Sequence, residues 1–241
     1  VPAVANVCVC DTYFTIDDDG RLCLKPGSTG LQDVLVFSDP GSYTFEKADY
    51  PSVARVRVRV QGAGGGSAGA DASAGEAIAR PGGTGGGYSE SLLDVSSLSA
   101  SENIVVGAGG AGGVGNSDGG NGGSSSFGSV TAPGGNGGSS TMSSGTAADV
   151  ASGLAGPLAG TGDFRMGGGA SGGAIRLNGT NAMSGYGGDS QMGTGGFPRA
   201  TQGAGTATRG FGAGAGGALS YGNSYDGQPG SNGLVLVELW A

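Results

Sequence analysis

Residues 54–60 alternate strictly. Ala54, Val56, Val58 and Val60 fall on one side, and Arg55, Arg57 and Arg59 on the other. Period-two alternation of this kind predicts a half-buried strand. The run Gly233-Leu234-Val235-Leu236-Val237-Glu238-Leu239-Trp240 predicts a second strong strand. Between the two lies a glycine-dominated field, residues 62–230. One strand opens the field and the other closes it. They are therefore expected to pair, with the field a single large excursion from a small β scaffold. Residues 34–37, a Ser38-Asp39-Pro40-Gly41 turn and residues 42–46 predict two strands ahead of the Arg-Val strand. Residues 88–95 and 103–106 predict two more, expected in the same sheet as the bookends. Residues 13–17 and 21–25 flank Asp18-Asp19-Gly20 and predict a hairpin, with residues 26–30 as a linker.

Inside the field the repeating unit is G-G-X. It appears at 109–114, 119–124 and 134–139, with shorter copies at 82–84, 172–174 and 216–218. A polyproline II-type helix has three residues per turn and no internal hydrogen bonds. A G-G-X period then puts X on one edge and leaves two edges bare. Bare edges let neighbouring helices approach, pair their N–H and C=O groups, and add weak Cα–H···O contacts. Residues 140–166 and 174–200 are less repetitive and are expected as loops at the helix ends. Residues 147–158 could make only a weak helix, because Gly153, Gly156 and Pro157 oppose it. The expected fold is mainly β: a small antiparallel β-sandwich scaffold from residues 34–61, 88–106 and 233–240, with an inserted bundle of polyglycine II helices and long loops. Residues 1–33 are expected to form an N-terminal attachment or oligomerisation segment, and residues 34–241 the glycine-rich domain.

Composition sharpens this picture. The 241 residues include 58 glycines and 9 prolines, more than a quarter of the chain. That range usually signals low complexity, since ordering each residue costs ~1–2 kcal/mol. A charged fraction of only 12% and the periodic glycine doublets argue against plain disorder. Collagen is excluded, because glycine does not recur at every third position over a long run. Eleven basic against nineteen acidic residues, a net charge of −8, argue against a nucleic-acid partner. The chain has no apolar stretch long enough to span a bilayer, so no membrane insertion is expected. Its first residues lack a basic n-region and are not read as a signal peptide.

Candidate chemistry is sparse. With no histidine, Ser–His and Cys–His nucleophile pairs are impossible. The chain is read as non-enzymatic, with no catalytic residue, no cofactor and no metal site. Cys8, Cys10 and Cys23 are too few for a four-ligand zinc site. They are read as free or buried thiols, with a Cys8–Cys23 or Cys10–Cys23 bridge left open. Asp17 to Asp19 lack the ligand spacing of a calcium loop and read as a solvated turn. Gly107-Ala108-Gly109-Gly110-Ala111-Gly112 fits a dinucleotide fingerprint, but the next residues, Gly113-Val114-Gly115-Asn116, cannot start the helix that the fingerprint needs. Asn178-Gly179-Thr180 fits a glycosylation pattern too common to carry meaning. The three strand arginines read as a solvated face or as contacts to acidic groups of a neighbouring subunit. Tyr186, Phe197, Phe211, Tyr221 and Tyr225 sit among glycines with no large core to bury them. Together with Phe164 and Arg199 they are the candidate receptor-contact residues, set against gap-filling between helices or packing on a sister subunit.

The order of motifs is itself informative. Val56 to Gly66, Gly82-Gly83-Thr84-Gly85-Gly86-Gly87-Tyr88 and Ile104-Val105-Val106-Gly107-Ala108-Gly109-Gly110 come first. Ser125-Ser126-Phe127-Gly128, Ala132-Pro133-Gly134-Gly135-Asn136-Gly137-Gly138 and Pro229 to Val237 come after, and Asp39-Pro40-Gly41-Ser42-Tyr43-Thr44-Phe45 precedes them all. This series resembles the glycine-rich domain of bacteriophage tail-fibre and minor tail proteins, over roughly residues 35–240. The segment before it resembles the short leader of minor tail proteins from phages of actinobacteria. The resemblance implies a virion component, on the tail or a surface appendage and extracellular after release. It implies a homotrimer attached to other tail or capsid proteins through residues 1–33, similar to phage adhesins whose polyglycine II helices present variable loops to a host-envelope glycan or protein. Alternatives are a capsid fibre or decoration protein without a receptor, and an ice-binding or matrix glycine-rich protein. Regular Thr or Ala ladders expected of the last are sparse.

Overall fold

The computed structural model describes residues 14–25 and 30–241. Cys8, Cys10 and most of the proposed attachment segment lie outside the described residues, and Cys23 is a free thiol. The expected hairpin forms from Phe14–Ile16 and Leu22–Leu24, with Gly20 at φ +77° in its turn.

A β-sandwich roots the molecule. Its strands are β1 (Leu31–Phe37), β2 (Gly41–Glu46), β3 (Arg55–Gln61), β4 (Tyr88–Asp94), β5 (Ser101–Val106), β6 (Ser125–Phe127), β7 (Val130–Ala132), β8 (Phe164–Met166) and β9 (Leu234–Trp240). One sheet has the order β8-β4-β3-β9-β1 and the other β7-β6-β5-β2, with every pairing antiparallel. The two bookend strands pair as expected, from Gln61 opposite Leu234 to Arg55 opposite Trp240. Val56, Val58, Val60, Val235, Val237 and Leu239 face Phe45, Ile104, Val106, Phe127, Val130 and Ala132 across a closed apolar layer. Full burial of such side chains is worth at most ~1.5–3 kcal/mol each, which makes this layer the main side-chain core.

Residues 101–106 do not extend the bookend sheet. A 3-10 turn at Val95–Ser97, tied by Val95 N–H to Ala54 C=O (2.8 Å), carries the chain over to the facing sheet, where β5 pairs with β2. That sheet is completed by the β6–β7 hairpin around Gly128 (φ +51°), whose strands are too short to show alternation. The arginine face is also different from expectation. Its acidic partners belong to the same chain and sit on flanking strands: Arg57 pairs with Glu90 (2.6 Å) and Glu238 (3.8 Å), Arg59 with Glu238, and Arg55 with Asp94 (3.3 Å).

The glycine field forms the predicted bundle. Its innermost segment, residues 62–69, is fully buried and shows the three-residue period in its hydrogen bonds. Gly62 and Gly65 donate to Gly87 and Thr84, Ala63 and Gly66 to Gly123 and Gly120, and Gly64 and Ser67 to Ser231 and Gln228, all at 2.9–3.0 Å. Its carbonyls accept from three further segments: Ala63 from Gly135, Gly64 from Gly110 and Gly65 from Ala215. Each turn thus bonds to neighbours all around it, as a three-fold helix permits and a β-strand does not. The approach is too close for side chains. A Cβ on Gly64 would stand 1.9 Å from the Ala213 carbonyl oxygen, and one on Gly66 2.1 Å from that of Ala111. On the periphery the G-G-X expectation is met: Ala111, Val114, Asn121, Ser124 and Asn136 are exposed while Gly110, Gly113, Gly135 and Gly138 are buried. Buried Gln61 marks the junction, its Nε2 donating to the carbonyls of Gly62, Gly86 and Gly87 at 2.9–3.1 Å.

Because the chain runs out from β3 along 62–69 and returns along 80–87 into β4, residues 70–79 mark the far end of the bundle. There Ala70–Asp71 pairs with Ser224–Tyr225, and Ile78–Ala79 with Leu219–Ser220. The stretches expected as loops are partly strands. Asp149–Ala151, Ala174–Asn178 and Asn181–Met183 form a three-stranded sheet, and no helix forms over 147–158. Short runs such as Ala174-Ile175-Arg176-Leu177 alternate over too few residues to stand out among glycines.

Candidate functional site

The outer end of the bundle needs side chains where the shaft does not. Its turns leave carbonyls that no neighbouring glycine helix reaches, and two buried arginines fill that gap. Arg80 donates to the carbonyls of Gly69 and Met142 and to Asn116 Oδ1, each at 2.7 Å. Asn116 in turn exchanges two bonds with the Asp71 main chain at 2.9 Å. Burial pulls the Arg80 guanidinium down to about 10, opposed by the charge of Asp118. Hydrogen bonds from Ser140 hold the Asp118 carboxyl below its usual range. Arg176 donates to the carbonyls of Ala77 (2.8 Å), Ala147 (2.7 Å) and Ser143, and reaches Asp149 at 3.4 Å. A guanidinium offers five donors in a fixed fork, which suits it to gather carbonyls from separate turns. Sequence reading passed over both residues. The available signal was a lone arginine between small or apolar neighbours, Ala79-Arg80-Pro81 and Ile175-Arg176-Leu177.

With its inner face fixed by Arg176, the three-stranded sheet turns an apolar face outward. Register places Val150, Ile175 and Met183 in one row across the strands, and they are 72%, 37% and 48% exposed. Leu177, at the register shift between Arg176 and Asn178, is also exposed. The opposite face carries buried Ala151, Ala174 and Arg176.

The sequence-predicted residues divide into three groups. Tyr186, Phe197 and Arg199 come together. Ser184 and Arg199 exchange main-chain and hydroxyl hydrogen bonds (2.9 and 2.8 Å), and Gly187 N–H donates to Gly196 C=O (2.8 Å), so Tyr186 stands opposite Phe197 in register. Both rings are more than half exposed, and the Arg199 guanidinium lies 5.9 Å from the Phe197 ring centre, within cation–π range. The Arg199 head is held in place by Nε donating to Ala204 C=O at 2.6 Å. Tyr221 and Tyr225 are at the outer end and half-buried. The Tyr221 hydroxyl accepts from Ala182 N–H (2.9 Å) beside the small core of Ala79, Met142, Ala151, Ala174 and Leu219, and Tyr225 pairs with Ala70. Phe164 and Phe211 are at the root. Phe164 sits on β8 against Tyr88, and Phe211 adjoins Gly212, which packs on Gln61.

The root also carries electrostatic perturbations. Burial raises the Tyr88 phenol, and the hydrogen bond to Glu90 (2.6 Å) adds to it. Burial pushes the Glu90 carboxyl up, but the Tyr88 and Arg57 hydrogen bonds and the Arg57 and Arg59 charges outweigh it and leave Glu90 below its ordinary value. Among the described residues no three His, Cys, Asp or Glu side chains gather as a metal site, and no helix is long and apolar enough to cross a membrane.

A β-sandwich root, a bundle cohered by main chain, and an outer end set with exposed apolar and aromatic side chains define a β-rooted polyglycine II scaffold that presents loops. The chain belongs to the glycine-rich domain family, whose model matches residues 39–240. No curated protein matches it.

Proposed function

We propose that this chain is a bacteriophage virion protein, a minor tail or tail-fibre component that acts in attachment to the host surface as a homotrimer. The observation that carries the reading is the division of labour along the bundle. The shaft is held by backbone bonds, while Tyr186, Phe197 and the Val150–Ile175–Met183 row stand exposed without serving the shaft. Residues that cost stability by their exposure and hold nothing together are what a contact surface requires. The motif order from Val56 to Val237 supports the virion assignment. The acidic balance favours a neutral envelope glycan or protein over an anionic polymer. Several copies per particle raise avidity without a strong single site.

Purified protein added to host cells ahead of phage is expected to reduce adsorption, and the Tyr186→Ala/Phe197→Ala double variant to lose that effect while keeping its circular dichroism. Immunogold labelling is expected to mark the tail. Labelling of the capsid with no block of adsorption would replace this reading with a decoration protein.

A further inference from the structure

The five-stranded sheet has one face in the core and one face turned outward, and the outward face is unusual for a solvated surface. Leu31, Val34, Val36, Leu92, Phe164 and Met166 stand on it, between 39% and 59% exposed. Register makes them one patch. Val36, Leu236, Arg59, Glu90 and Phe164 lie in a single row across the strands, and Val34, Glu238, Arg57 and Leu92 in the next. The charges between them are already matched within the chain: Arg55, Arg57 and Arg59 against Asp94, Glu90 and Glu238. The face is therefore neutral on a chain of net charge −8. Beside it a cleft of about 280 Å³ is lined by Arg55, Arg57, Leu92, Trp240 and Ala241. The Trp240 indole N–H is buried with no acceptor among the described residues.

We infer that this outward face of the five-stranded sheet is where copies of this chain meet, a second copy being its occupant. Two arguments select a copy of the chain over another partner. The first is charge. Acidic chains of net −8 repel one another, and a neutral patch with its ion pairs closed internally is where they can touch without like charges facing. The second is area. Four strands of seven residues and one of three, at ~4.8 Å spacing and ~3.4 Å per residue, give a footprint of roughly 510 Å² in projection. Side-chain relief brings this toward the ~800 Å² that each partner contributes to a standard interface. Strand β1 lies at the sheet edge and extends the patch. The inference deepens the assembly part of the function proposed above and rests on it, but not on host attachment.

Sedimentation velocity and native mass spectrometry of the full chain, from about 1 to 100 µM, test this against the affinity range of stable oligomers. The wild-type chain is expected above monomer mass. Val36→Glu and Leu92→Glu place an added carboxylate on the patch without removing a hydrogen bond. Each is expected to raise the dissociation constant at least tenfold with unchanged circular dichroism. Val114→Glu, 70% exposed on the glycine shaft, is the control and is expected to leave assembly unchanged. A wild-type monomer throughout the range, or an assembly indifferent to Leu92→Glu, overturns the inference. Assembly that depends on the patch, in a protein that does not block adsorption, leaves this inference standing and removes the attachment role alone.

Discussion

Adding one methyl group at position 64 tests the packing of the bundle directly. The Cβ of Gly64→Ala would lie 1.9 Å from the Ala213 carbonyl oxygen, whereas close carbon–oxygen contact is about 3.3 Å. The segment carrying Ala213 must retreat by roughly 1.4 Å, the difference between those distances. It is held by main-chain bonds from Ala215 N–H to Gly65 C=O (3.0 Å), from Gly83 N–H to Ala215 C=O (2.8 Å) and from Ser231 N–H to Ala213 C=O (2.9 Å). A retreat of that size takes such bonds beyond hydrogen-bonding range. Each buried group left unpaired costs ~1–3 kcal/mol, so two cost ~2–6 kcal/mol. Stiffening of the unfolded chain by alanine returns ~0.4–1 kcal/mol. The net loss is about 1–5.6 kcal/mol, large against a typical total stability of ~5–15 kcal/mol. Urea unfolding followed by the fluorescence of Trp240, the single tryptophan, measures it. Ser124→Ala, at an exposed X position, is the companion and should change stability by less than ~0.5 kcal/mol. If Gly64→Ala matched wild type within that margin, the close approach of main chains would not be what orders the shaft.

Two further outcomes are expected. Arg176→Met removes the donors that gather Ala77, Ser143 and Ala147, leaving buried carbonyls unpaired. It should cost ~2–4 kcal/mol and speed proteolytic nicking within 143–149; an unaltered digestion pattern would contradict the role assigned to Arg176. Glu90 is held below its ordinary value near 4.5 in the fold. Its contribution is therefore complete above that value and lost as pH falls through the lower folded value. Glu90→Gln should flatten the acid limb of a stability–pH profile, and an acid limb as steep as wild type would refute the pairing.

The sequence revealed most where one residue's surroundings are set by its neighbours in the chain. Val56, Val58 and Val60 could be assigned a buried face because alternation is local, and the pairing of β3 with β9 followed from their opening and closing the glycine field. The exposed X of each G-G-X unit followed from a three-residue turn. Sheet membership did not, because whether Asn103 to Val106 extends one sheet or faces it depends on how Val95–Ser97 turns the chain. The arginine face was assigned to solvent or to another subunit, since nothing local joins Arg59 to Glu238, 179 positions away. Among the aromatics, identity gave no clue to place: Tyr221 and Tyr186 look alike in sequence, yet one hydroxyl is tied to Ala182 while the other ring projects outward. Arg80 and Arg176 were passed over because their partners are backbone carbonyls, which every residue has.

The three-way bonding of residues 62–67 has a mechanical consequence. In a hairpin peeled from one end, bonds break singly, each opening exposing the next. Here successive residues of one segment are fastened to different neighbours, so no seam exists along which a crack could run. Tension applied between root and outer end acts across the bonds rather than along them, and many must shear at once. A rod made of the least bulky residue can in this way resist pulling without a large apolar interior, and its stiffness is indifferent to which side chains decorate its tip.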